Sequence, residues 1–167
     1  AAGNSQAAPL RIQFNADAGH EPVVAIFVDN LAAIGIEAEA DPRISETYFS
    51  ELADGACVIC RAGWIMDYPT YDNFMYDLFH TDALDGNNYS FSNPEFDALV
   101  DEAKQTPDPD AAAALYQQAE QLLLNEQVHV IPINWYLGEY AFNADTLQGF
   151  GHGSDYLIKW EQIVVNK

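Results

Sequence analysis

Basic residues are scarce in this chain. Six Lys and Arg stand against 26 Asp and Glu, for a formal net charge of −20. Such a surface repels phosphate backbones and anionic headgroups, and it offers no basic stripe to release counterions. Nucleic acid and anionic membrane surfaces are therefore poor candidates as partners of this surface. Long apolar runs are absent too: no stretch of about 18 residues could span a bilayer as a helix. The opening residues, Ala1 to Pro9, have neither a basic start nor an apolar centre, so they read as a flexible leader or linker remnant. Any export signal is expected upstream of them.

Cysteine is nearly missing. The only two, Cys57 and Cys60, form a Cys-Val-Ile-Cys pattern that superficially suggests redox or zinc chemistry. The surrounding Ala56 to Arg61 reads as a short strand. Within a strand, a separation of three puts the two side chains on opposite faces with Cα atoms about 10 Å apart, too far for a disulfide. Two reduced thiols are expected. Metal and catalytic constellations are absent as well. His20, His80, His129 and His152 are scattered, and no pair has the helical spacing of a zinc site. An EF-hand register on Gly86 puts Thr81, Ala83 and Ser92 where carboxylates belong. Ser154 follows His152 in a glycine-rich turn without a nucleophile-elbow pattern. Paired acids for glycoside hydrolysis remain the enzyme alternative, with no pair singled out.

What is present suits a folded α/β protein. Hydrophobic residues make up 49% of 167 positions, enough for a real core, and the length fits one domain over residues 10–167. Leu10, Ile12 and Phe14 alternate with polar residues as in a strand buried on one face. Pro22 opens a helical stripe through Val23, Val24, Phe27, Val28, Leu31 and Ile34, which Gly35 ends. Ile36, Ala38 and Ala40 alternate again, completing a βαβ unit with a parallel pair and a right-handed crossover. Thr47 to Leu52 reads as a short helix ending near Gly55. Positions 63–88 are dense in aromatics, Asp, Asn and Pro and read as a long irregular segment of functional or Ω-loop type. Helices follow at Pro94, capped by Ser92 or Asn93, and at Pro109, capped by Asp108. Val128 to Tyr136 reads as a strand interrupted at Pro132, Gly149 to Gly153 as a turn, and Tyr156 to Val165 as a last strand.

From Trp64 onward the chain resembles the C-terminal region of the oligopeptide- and dipeptide-binding proteins that serve ABC importers (bacterial extracellular solute-binding protein family 5). The resemblance rests on Trp64-Ile-Met-Asp67-Tyr68-Pro69, Asp72-Asn73-Phe74, Asn87-Asn88-Tyr89, Ser92-Asn-Pro-Glu-Phe-Asp-Ala-Leu99, Leu115-Tyr-Gln-Gln-Ala-Glu120 and Val130-Ile-Pro-Ile133. It covers about two-thirds of the chain, in the family's order and spacing. Thr70 and Tyr71 depart from it, standing where an Asp-Pro pair is frequent.

The resemblance implies part of a type II periplasmic-binding-protein lobe, with a mainly parallel sheet covered by helices. It implies a binding module without cofactor, one that takes short peptides between two lobes, the N-terminal lobe being absent here. A membrane ABC permease would be its partner. Its location would be extracytoplasmic, lipid-anchored through the missing N-terminus. An oligosaccharide, nickel chelate or haem is an alternative ligand for the same fold, and a regulatory domain an alternative use.

Among residues, the resemblance assigns Asp67 to the ligand's α-ammonium, with Trp64 as an apolar wall and Tyr68 beside it. A loop carboxylate facing an ammonium forms a charge-assisted hydrogen bond, the stronger class. Every unmodified peptide carries that group, so capturing it tolerates varied side chains. Two plainer roles compete: Asp67 before Tyr-Pro as a turn residue, and Trp64 as core.

Overall fold

The structure, a computed structural model, describes residues 8–83, 89–137, 139–151 and 158–166. The chain divides into two compact units: the described residues of Ala1–Trp64 with Leu78–Ser92, and those of Ile65–Asp77 with Asn93–Lys167.

The first unit is built on a parallel sheet. Strand β1 (Leu10–Asn15) leads through a 3-10 turn to helix α1 (Glu21–Ala33), then strand β2 (Ala38–Arg43), helix α2 (Ser45–Ala53) and the two-residue strand β3 (Ile59–Cys60). The order is β2-β1-β3, with Leu10 opposite Ala38 and Ile12 opposite Ile59. Alternation in β1 turns Ile12 and Phe14 toward Val24 of α1, and Phe27, Val28, Leu31, Ala38 and Ile59 pack around them. Arg11 on the opposite face pairs with Glu39 at 3.1 Å, and Arg43 with Asp41 at 3.0 Å. Helix α1 stops as its sequence suggests. Gly35 takes a left-handed φ of 81°, and the Ile36 amide turns back to the Leu31 carbonyl at 2.9 Å. Tyr48 of α2 is wholly buried and donates its hydroxyl hydrogen to the Arg61 carbonyl, which ties the helix to the end of β3.

The cysteine expectation is corrected here: Cys57 and Cys60 form a disulfide, with Cα atoms 6.0 Å apart. Strand β3 starts only at Ile59, and the chain bends at Val58, so Cys57 lies in a loop. The bend replaces the pleat that would have kept the two sulfurs on opposite faces.

Helix α3 (Asp72–Phe79) lies inside the segment expected to be irregular. The second unit continues with α4 (Pro94–Gln105), α5 (Pro109–Gln121) and a π turn over Leu122–Glu126. Both helix starts are capped: Asn93 Oδ1 accepts from the amides of Glu95 and Phe96, and Asp108 Oδ1 from those of Asp110 and Ala111. Phe96, Val100, Ala103, Tyr116, Ala119, Leu122 and Leu123 are all buried.

The expected strand at Val128 to Tyr136 is not formed. Val128 takes a φ of 49°, and no residue from 128 to 136 enters a ladder among the described residues. An alternating pattern makes a strand only beside another strand, and Pro132 has no amide hydrogen to offer one. Instead, strand β4 (Leu147–Gln148) pairs antiparallel with β5 (Val164–Val165) after a turn at Gly149 with φ 73°. Positions 152–153 of the expected turn and 156–157 of the expected last strand lie outside the described residues. Trp160–Gln162 forms a 3-10 turn, so of the described part of that strand only Val164–Val165 pairs with β4.

Candidate functional site

The loop leading into α3 and the first turns of that helix gather four carboxyl-bearing or amide side chains in the second unit. Asp72 and Asn73 open the helix, and Asp77 follows Asn73 by one turn, so Asn73 and Asp77 share a face. Asp67 and Tyr68 precede them in a series of bends.

Asn73 is completely buried and sits at the centre. Its Oδ1 accepts the Asp67 backbone amide at 2.9 Å. Its Nδ2 donates to Asp67 Oδ2 at 3.3 Å and to Asp77 Oδ2 at 2.9 Å. The Tyr68 hydroxyl lies 2.9 Å from Asp77 Oδ2 and 3.2 Å from Asp72 Oδ2. From α5, the Tyr116 hydroxyl donates to Asp72 Oδ1 at 3.3 Å, while its ring stacks on Tyr71 with centroids 5.5 Å apart. Lys104 of α4 brings a cation, 3.6 Å from Asp72 Oδ1 and 3.2 Å above the centre of the Tyr76 ring.

Electrostatics follow from this crowding. Burial, the Asp77 hydrogen bond and the Asp72 carboxylate push the Tyr68 phenol up to about 12. Tyr116 is pushed up further, by burial first and then by Asp72. Both phenols therefore stay protonated at neutral pH and act as donors toward the carboxylates. Three carboxylates, Asp67, Asp72 and Asp77, share this neighbourhood with the Lys104 cation. The cluster is rich in acceptors and suited to a ligand that brings positive charge and N–H donors. Among the described residues, no group of three or more His, Cys, Asp or Glu is placed to hold a metal ion.

Of the residues singled out by sequence, Asp67 is exposed and joined through Asn73 to Asp77, and Tyr68 reaches the same Asp77. Trp64 is half-buried and falls in the first unit. Sequence reading gave no site role to Asp72, Asn73 or Tyr116, although they lie in its motifs, and did not single out Asp77 or Lys104. The Asn73–Asp77 spacing was the available signal, hidden because the segment was not read as a helix.

The first unit carries its own polar group at the carboxyl ends of its parallel strands, the usual ligand side of an open α/β sheet. Asn15 Nδ2 reaches Ser45 Oγ at 3.3 Å, and the Ser45 hydroxyl donates to Asp17. That bond holds the Asp17 carboxyl below its ordinary range. Nearby, burial and then the Arg61 charge press the His20 imidazole down.

No family model matches the chain. Curated relatives do, and one of the most similar is di/tripeptide-binding protein 1 of Pseudomonas aeruginosa, 32% identical over 128 residues. That match takes in 76% of this chain and 23% of the relative, so the chain spans about a quarter of the relative's length. In fold, the chain is similar to a periplasmic oligopeptide-binding protein of Borrelia burgdorferi, with a TM-score of 0.80 at 18% identity over 97% of this chain and 32% of that one. It is also similar to OppA of Haemophilus influenzae, solved in complex with RPPGFSPFR. There the TM-score is 0.64 at 28% identity, over 73% of this chain and 24% of that one. An α/β unit with a parallel sheet and flanking helices is thus a lobe architecture shared with periplasmic binding proteins. The homologues of this chain are thus peptide-binding proteins of the solute-binding protein class, and it matches part of the length of each.

Proposed function

We propose that this chain is part of the substrate-binding component of an ABC importer, one that takes short peptides in the cleft of a two-lobed protein. On this reading, residues 10–167 are a C-terminal portion, and the N-terminal lobe is supplied by the rest of the same protein. The whole works outside the cytoplasm, lipid-anchored through its N-terminus, and delivers peptide to a membrane permease. It binds and does not catalyse.

Within the site, Asp67 pairs with the peptide's α-ammonium. The observation that carries this is the exposed Asp67 carboxylate, held by Asn73 within a group of three carboxylates and one lysine. An ammonium entering there exchanges water for charge-assisted hydrogen bonds. Tyr68 lines the approach, and Trp64 keeps only the apolar role that the resemblance gives it.

The test compares wild type with Asp67→Asn in the protein as its gene encodes it, using trialanine and N-acetyl-trialanine in titration calorimetry. Removing one side of a charge pair that a closed cleft buries costs about 2–5 kcal/mol. That loss is expected for the free peptide, whereas the acetylated peptide has no ammonium to lose. Equal losses for both peptides would mean that Asp67 only shapes its turn.

A further inference from the structure

We propose that Asn73 is the positioning residue of the ammonium site, fixing the Asp67 carboxylate before ligand arrives; this rests on the amine-binding reading of Asp67. One side chain holds Asp67 at two points, its backbone amide through Oδ1 and its carboxylate through Nδ2. The amide orientation is forced. A backbone N–H can only donate, so it must meet Oδ1, and this aims Nδ2 at the carboxylates. The second Nδ2 hydrogen goes to Asp77 one turn along α3, and the Tyr68 hydroxyl sits on the same Asp77 oxygen. The clamp is therefore anchored on a helix face and not on the bends that carry Asp67.

Two physical consequences make an asparagine suited to this place. Asp67 is exposed and lies in a run of bends, so without a partner its carboxylate would sample several rotamers, and the ligand would have to order it. Ordering it in advance removes that cost from binding. An amide also orients the carboxylate without cancelling its charge. A lysine or arginine in the same place would orient Asp67 equally well, but it would neutralise the field that an incoming ammonium needs. Complete burial of Asn73 keeps water from competing for these bonds.

The experiment is a double-mutant cycle in the protein as its gene encodes it: wild type, Asn73→Ala, Asp67→Asn and the double variant. Each is titrated with trialanine and with N-acetyl-trialanine, and thermal melting reports the fold. Asn73→Ala should weaken trialanine binding by about tenfold and leave N-acetyl-trialanine nearly unchanged. The double variant should bind trialanine no worse than Asp67→Asn alone, since a residue that acts only through Asp67 adds nothing once that carboxylate is gone.

If Asp67→Asn discriminates between the peptides while Asn73→Ala does not, Asn73 has no positioning role and the amine reading stands. Additive losses, or equal losses for both peptides from Asn73→Ala, assign Asn73 to general packing and overturn the proposal. If Asp67→Asn itself fails to discriminate, the amine reading falls and the positioning role falls with it. Should Asn73→Ala not fold, Asn73→Ser takes its place in the same cycle, because its shorter hydroxyl cannot hold both carboxylates.

Discussion

Replacing both cysteines by serine should remove only a modest part of the first unit's stability, and the loop length says how much. The Cys57–Cys60 bond closes a ring with two intervening residues. In the chain-entropy picture, closing a loop of about four residues removes about 6 cal/mol/K from the unfolded ensemble, or about 2 kcal/mol at 25 °C; a 15-residue loop would give about 3. With a urea slope of about 1–3 kcal/mol/M, the midpoint should fall by roughly 1 M. Circular dichroism across a urea series checks this for wild type, for the Cys57→Ser/Cys60→Ser variant and for wild type under a dithiol reductant. The two perturbations should agree. Hydrogen exchange gives the local counterpart. The Arg61 amide donates to the Gln13 carbonyl at 2.9 Å, directly after the bridged Cys60 and at the end of a two-residue strand. It should exchange faster in the serine variant, while β1–β2 amides change little. Two alkylatable thiols in the unreduced protein would refute the reasoning outright. A loss well above 3 kcal/mol would show that the bond does more than close a short loop.

Two further outcomes follow from the structure. Burial raises the Tyr48 phenol from 10.0 to about 12, so the folded form prefers neutral Tyr48. That contribution is complete below pH 10 and is lost as pH climbs toward 12, and Tyr48→Phe should flatten this alkaline limb in urea midpoints read against pH. Asn93→Ala should cost about 1 kcal/mol in thermal melting, because the amides of Glu95 and Phe96 lose their cap; Asn93→Ser should restore most of it.

Much of the fold was legible because local signals and tertiary environment agree. Ile12 and Phe14 alternate, and they are buried; Gly35 ends a stripe, and it takes the left-handed conformation that lets α1 stop. Pro94 and Pro109 follow residues that do cap their helices. Failures occurred where partners outside the local window decide the outcome. Cys57 looked like part of a strand, but β3 has only Ile59 and Cys60 to pair, and the bend at Val58 closes the bridge. Val128 to Tyr136 has a strand's composition without a neighbouring strand among the described residues. Helix α3 was hidden by the aromatic and acidic density of Asp-Asn-Phe-Met-Tyr-Asp, which masks its period even though Met75 and Leu78 are buried as a helix would bury them.

The candidate site divides in the same way, and for a reason that lies in its chemistry. Asp67 could be picked out from the resemblance, because an exposed loop carboxylate is recognisable by residue type and motif alone. What surrounds that carboxylate is second in line: a buried amide, another acid one helical turn from that amide, and a phenol kept protonated well past neutral pH. Their motifs and the Asn73–Asp77 spacing were in the sequence, but Asn, Asp and Tyr are ordinary surface residues until α3 brings them together. Carboxylates crowded without such donors would repel one another and favour protonation of one of them. Asn73, Tyr68, Tyr116 and Lys104 supply the donors that let three acids share so small a space. An ammonium ligand would then add to a set of hydrogen bonds already in place, so affinity at this site should depend on the donors behind Asp67 as much as on Asp67 itself.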